Sequence, residues 1–211
     1  MSFSTQLQKM KFKIFSTDIK ISYSLLCVSA ISIISGAFNG FLCCIIAILL
    51  HEAGHMLFMC MFGYKPDKIN ISLFEISISD KSRHQRTFFQ NFLIIFFGPV
   101  ANFICFILFY LLYLFSNEIF LPLAVANLSV GLFNLLPVLS LDGGQLLYIL
   151  LCRCISDRTA EKVVDIVTFI FIFPLSALGF LLLFNSKYNF SLLFVCVYLV
   201  LSLICKNNRF Y

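Results

Sequence analysis

His51 and His55 stand four residues apart in the run His51-Glu52-Ala53-Gly54-His55, with Glu52 beside the first histidine. On an α-helix, positions i and i+4 share a face, so both imidazoles address one point. Neutral imidazole nitrogens suit zinc, and an adjacent glutamate is placed to take a proton from a water on that metal. The same pattern also arises by chance, around two core histidines satisfied by their neighbours, and five residues alone do not separate these readings. The setting adds weight to the first. The motif lies inside the apolar run Phe41 to Gly63, where a bilayer would be. A carboxylate at the centre of a spanning helix costs on the order of 3 kcal/mol, so it marks a functional site by default.

The elements around the motif are those of a polytopic membrane protein. The 211 residues are 61% hydrophobic and 12% charged, with mean hydropathy +0.98. Soluble domains are nearer about 45–50% apolar and 25% charged. The nine cysteines include no Cys-x-x-Cys and mostly lie in apolar runs, so they read as small buried side chains rather than disulfides or thiolate ligands. The lead of polar residues and lysines gives no expectation of a cleavable signal peptide.

The order along the chain is a basic cytosolic arm over 1–20 lying at the membrane interface, then about six spans. Span 1 is expected over about Ile21 to Ala37, Phe38-Asn39-Gly40 is a tight connection, and span 2 runs from Phe41 to Gly63. The polar loop 65–87 carries period-2 alternation through Ile69, Ile71 and Leu73, and again through Ile76 and Ile78, with a slip at Phe74-Glu75. That predicts a small membrane-associated β segment, either one bulged strand or two short ones. Its use is open between holding an extended substrate by strand addition and covering the helix bundle. His84, between Arg83 and Arg86, reads as a surface residue.

Span 3 covers about Phe88 to Phe115 and contains Gly98-Pro99-Val100-Ala101-Asn102. Next comes a discontinuous span: helical from Ala124 to Leu136, broken at Pro137, extended over Val138 to Asp142, and helical again from Gly143-Gly144 to Cys152-Arg153. Irregular backbone at membrane depth is tolerated only where it is buried in protein or lines a cavity. Asp157 to Lys162 is a polar connection, and spans 5 and 6 follow at about Val163 to Phe184 and Phe190 to Cys205.

With six spans, fourteen of the fifteen Lys and Arg residues fall on one side and only Lys187 on the other. This positive-inside bias places both termini in the cytosol of a multi-pass protein. It also accounts for the net charge of +5 without nucleic acid.

Two histidines leave a catalytic zinc short of its usual three protein ligands. At about 1.5 Å per residue, His55, eight residues before Gly63, lies about 12 Å inside, and His51 about 18 Å. Asp142, eleven residues before Arg153, comes to about 16 Å on the same helical rise. His51, His55 and Asp142 are therefore the expected ligands of one zinc per chain, with a fourth position open to water and Glu52 as general base. Asn102, Asn127 and Asn134 are candidates for binding the substrate backbone or its oxyanion. Each is equally an interhelical hydrogen-bonding residue, and Asn134 is the preferred contact because it precedes the break.

These motifs together resemble the site-2 protease family of intramembrane zinc metalloproteases. His51-Glu52-Ala53-Gly54-His55, Gly98-Pro99-Val100-Ala101-Asn102, Asn134-Leu135-Leu136-Pro137 and Leu141-Asp142-Gly143-Gly144 match it in order, spacing and setting across residues 41 to about 150. The resemblance implies a three-helix zinc core within 41–153 and hydrolysis of peptide bonds in or near transmembrane segments, in regulated intramembrane proteolysis. It supports Asn134 as a substrate contact and a sheet after span 2 that receives substrate. The expected partners are a transmembrane substrate, the lipid bilayer and a regulatory membrane partner, in what would be a bacterial cell membrane. The compact form is closest to the sporulation-type subgroup. It departs from the family at Ser140, where proline is frequent, and no stretch resembles a PDZ or CBS module. The alternatives are a non-proteolytic zinc-binding scaffold or chaperone on the same fold, disfavoured by the complete catalytic set, and an ion transporter. A transporter would need further ionisable residues along a path.

Overall fold

The computed structural model describes residues 9–14, 17–22, 32–33, 36, 38–64, 68–71, 76–79 and 86–185. Most of span 1, all of span 6, His84, Lys187 and the basic tail lie outside the described residues. By contact the chain divides into two compact units, residues 1–131 and 132–211.

The first unit holds a four-stranded sheet in the order β1 (Lys9–Ile14), β2 (Thr17–Ser22), β3 (Lys68–Ile71) and β4 (Ile76–Ser79). The pairs β1–β2 and β3–β4 are antiparallel and β2–β3 is parallel, with Asp18 opposite Lys68 and Lys68 opposite Ser79. The parallel pair is what joins the two hairpins, and such a pair needs a long crossover, here the chain between Ser22 and Lys68. β1 and most of β2 lie within the basic arm. Lys9-Met10-Lys11-Phe12-Lys13-Ile14 alternates with period 2, a strand signal that its lysines mask when read as an interface lead. Strand β2 also runs past Ile21, where span 1 was expected to begin.

Helix α1 (Phe38–Met61) and helix α2 (Phe88–Phe115) are long and apolar enough to cross a membrane. Phe38-Asn39-Gly40 forms the first turn of α1 rather than a connection; one glycine costs a helix only about 1 kcal/mol, which the following apolar run overrides. α2 opens on a capping box, with Thr87 Oγ1 accepting from Gln90 N–H and Gln90 Oε1 from Thr87 N–H. Tyr64, just past α1, also donates its hydroxyl to Gln90 Oε1 at 3.0 Å, and Arg86 lies over its ring, 4.9 Å from the centroid. The entry to α2 is thus tied to the exit from α1.

The burial pattern is inverted relative to a soluble protein. Most buried positions are small or polar: Ala47, His51 and Gly54 on α1, and Gly98, Pro99 and Asn102 on α2, with Met59, Ile94 and Ile95 buried beside them. Exposed positions are Leu49, Leu57, Ile104, Ile107, Leu111 and Phe115. Small residues inward and large apolar residues outward is how helices pack in lipid. Gly54 brings the helices together, since a Cβ there would strike the Phe97 carbonyl and Ala101. Phe58 stacks on Phe97 with centroids 3.6 Å apart. Helix α3 (Phe120–Asn134) buries Ala124, Ala126, Asn127 and Gly131.

In the second unit, residues 135–141 turn, α4 (Asp142–Leu151) follows, and α5 (Asp157–Asn185) completes the described chain. The expected extended run at Val138 to Asp142 is corrected. Val138 N–H reaches Leu136 O at 2.7 Å and Leu141 N–H reaches Val138 O at 2.8 Å, so the break is a pair of turns. Helix α4 begins at Asp142 itself. Asp157 to Lys162 is likewise helix, started by Thr159 and Ala160 N–H bonding back to Ser156 O, with Asp157 favoured in the first turn by the helix dipole. Val138, Leu141 and Ile172 form a buried cluster with Phe133, Leu136 and Leu175 against it.

Candidate metal centre

His51 is 4% exposed on α1 and His55, one turn on, is half-buried. The two rings meet edge to face with centroids 4.7 Å apart, and their Nε2 atoms are 3.1 Å apart. Each ring is held at its other nitrogen. His55 Nδ1 donates to the backbone carbonyl of Ile94 at 2.8 Å, and His51 Nδ1 to Asn102 Oδ1 at 2.6 Å. With the proton on Nδ1 in both rings, both Nε2 lone pairs face one point. Two nitrogens about 2.0–2.1 Å from a shared tetrahedral zinc would stand about 3.3 Å apart, close to the observed separation.

α2 makes room for this pair. A Cβ at Gly98 would overlap the His55 ring itself. The glycine of the Gly-Pro step therefore clears space for a ring. Asn102 is fully buried, and its Nδ2 donates to Ala47 O at 2.9 Å and to Asn127 Oδ1 at 3.0 Å. Asn127, also fully buried, donates to Leu123 O at 2.8 Å. Glu52 is half-buried in the same turn as the histidines.

Asp142 is the first residue of α4, where the helix dipole favours negative charge. Leu141 caps that helix in extended conformation with no side-chain bond. Gly143 and Gly144 are required by close approach: a Cβ at either would strike the carbonyls of Leu135 and Leu136 or of Val138. Leu139 N–H donates to Thr168 Oγ1 on α5 at 2.9 Å, with Thr168 fully buried. Thr168 had no signal in the sequence, since a lone threonine in an apolar helix usually bonds its own backbone. Asn134 is half-buried at the end of α3.

His51 and His55 in the first unit and Asp142 in the second are residue types that can ligate a metal ion. Two imidazoles and one carboxylate are the chemistry of a catalytic zinc site. Cys43, Cys44, Cys60, Cys105, Cys152 and Cys154 are free thiols.

Comparison with known proteins agrees with this chemistry. Residues 117–178 match the sequence profile of peptidase family M50. The chain is 25% identical over 138 residues to Stage IV sporulation protein FB of Bacillus subtilis (strain 168), covering 64% of this chain and 48% of that relative's length. Its fold is similar to that of the site-2 protease from Methanocaldococcus jannaschii, with TM-score 0.70 and 20% identity over 93% of this chain and 94% of the other. The profile match takes in the break and Asp142, while the His-Glu-x-x-His helix lies outside it and rests on its own geometry. The resemblance read from the motifs is thus borne out: residues 117–178 match the peptidase family M50 profile, and the fold is similar to that of a site-2 protease.

Proposed function

We propose that this protein is an intramembrane zinc endopeptidase that hydrolyses peptide bonds in or near transmembrane segments of membrane proteins, with residues 41–153 as its catalytic core. The observation that carries the reading is the pair of Nε2 atoms 3.1 Å apart on an apolar helix, each ring fixed by a bond at Nδ1. The exposed leucines and isoleucines around it support a site at membrane depth. His51 lies ten residues from the end of α1, or about 15 Å, near the middle of a bilayer core.

His51, His55 and Asp142 would hold one zinc per chain. Zinc, when bound, supplies a Lewis acid that polarises the scissile carbonyl and makes water a nucleophile at neutral pH. Glu52 takes the proton from the attacking water and returns it to the departing amine, a general-base and general-acid role for one carboxylate. Asn134, half-buried where α3 ends, holds the substrate backbone. Asn102 and Asn127 fit the other alternative, because their amides are bonded within the buried helix pair and α3.

An open four-stranded sheet does not cross a bilayer, so β1 to β4 would lie on one side of it, and their lysines support the cytosolic face, with both termini on that side. An edge of this sheet would receive the substrate by strand addition. The test is a substrate trap. Glu52→Gln protein purified from native membranes should enrich a single-span protein that is shortened in cells carrying the wild type. The same intact partner with both forms would instead favour a non-proteolytic scaffold.

A further inference from the structure

His55 and His51 reach the same tautomer by unequal means. The Ile94 carbonyl can only accept, so the bond at 2.8 Å forces the proton of His55 onto Nδ1. The Asn102 amide facing His51 at 2.6 Å carries an acceptor and a donor, and a half-turn about its last bond exchanges them. Something beyond that pair must fix the amide. Its other end meets Ala47 O and Asn127 Oδ1. Ala47 O can only accept and so favours this orientation too, but it also takes the His51 backbone N–H and is shared between the two. Asn127 Oδ1 is turned toward Asn102 because Asn127 Nδ2 is committed to Leu123 O, which can only accept. Both asparagines are fully buried, so water does not substitute for either partner.

We propose that Asn127 is a positioning residue for the metal centre: anchored on the Leu123 carbonyl, it holds Asn102 with its oxygen toward His51 and thereby keeps His51 Nε2 free of a proton. The order runs from the Leu123 backbone through two amides to the ring, and each bond dictates the polarity of the next. The inference rests on the reading of His51 as a ligand, and it assigns Asn127 to the ligand's orientation rather than to substrate.

Asn127→Leu removes one of the two acceptors, leaves an Asn102 N–H without its partner and lets the amide turn against the shared Ala47 O alone. The turned amide offers N–H to Nδ1, which moves the ring proton to Nε2 and blocks the metal. Asn127→Asp is the conservative variant. A carboxyl in a dry interior is neutral, and its hydroxyl and carbonyl repeat the donor and acceptor of asparagine. The full-length protein in nanodiscs is assayed for zinc affinity by chelator competition, and for ring tautomers by nitrogen NMR of the metal-free form. Only three histidines need assignment. We expect the Nδ1–H tautomer at His51 in wild type. We also expect zinc affinity about 10–100-fold weaker in Asn127→Leu, the range for loss of an outer-shell partner, with recovery in Asn127→Asp. An Nε2–H tautomer at His51 in wild type, or unchanged tautomer and affinity in Asn127→Leu, overturns the relay. If Asn127→Leu does not fold, the wild-type tautomer and the Asn127→Asp affinity decide. Wild type that binds no zinc would sink the ligand reading, while the tautomer would still judge the relay.

Discussion

Helix α1 and the segment joining α3 to α4 carry the proposed donor groups, and each holds its own by opposite means. α1 is unbroken, and its regular spacing alone turns His51 and His55 to one side, with their orientation supplied by Ile94 O and Asn102. The break before α4 has no periodicity to rely on. It holds Asp142 at a helix start by two tight turns, a bond from Leu139 N–H to Thr168, and glycines pressed against carbonyls. A regular element needs only room for its side chains. An irregular one needs every polar backbone group met and every close approach cleared.

Removing a proposed ligand from either region tests the comparison most severely. His51→Ala and Asp142→Ala should each weaken zinc binding by more than about 100-fold, beyond the range for an outer-shell partner, and abolish cleavage. Zinc held normally by Asp142→Ala would leave the regular helix as the sole donor region.

Glycine substitutions separate room from backbone. Gly143→Ala drives a Cβ into two carbonyls that cannot move without undoing the turns, so a loss of about 3 kcal/mol or more and loss of zinc are expected. At Gly98 the obstacle is the His55 ring, and Gly98→Ala should cost about 1–3 kcal/mol with weakened zinc binding. Thermal unfolding in detergent with zinc titration reads both. Equal tolerance at the two positions would remove the distinction.

Thr168→Val keeps the shape and deletes the acceptor for Leu139 N–H. Leaving that buried donor unmet should cost about 1–3 kcal/mol, with faster hydrogen exchange around the break and little change in α1. The smallest effect is expected at Gly40, also on α1 but with no neighbour within 4 Å. Gly40→Ala should raise stability by up to about 1 kcal/mol and leave zinc untouched.

This contrast also explains what the sequence made legible. Spacing alone identified the His51–His55 face, and composition identified the apolar helices, with span 3 expected at the bounds of α2. Asp142 followed from depth, although the backbone around it turns where an extended run was expected. The turns depend on Leu136 and Val138 carbonyls meeting N–H groups two and three residues on, and side-chain pattern carries no trace of such bonds. Thr168 was missed because its partner is a backbone N–H distant in sequence. β1 was missed for a different reason: its alternation was present, but its lysines matched an interface-lying arm equally well.

The central claim is that Glu52 acts chemically on a metal held by its neighbours. The most direct measurement reconstitutes wild type and Glu52→Gln in lipid with a single-span substrate, following cleavage and zinc per chain in the same samples. The account predicts one zinc in both proteins, with cleavage lowered by about 10²–10⁴-fold or lost in Glu52→Gln, the contribution of a positioned general base. Undiminished cleavage by Glu52→Gln with its zinc in place would contradict it.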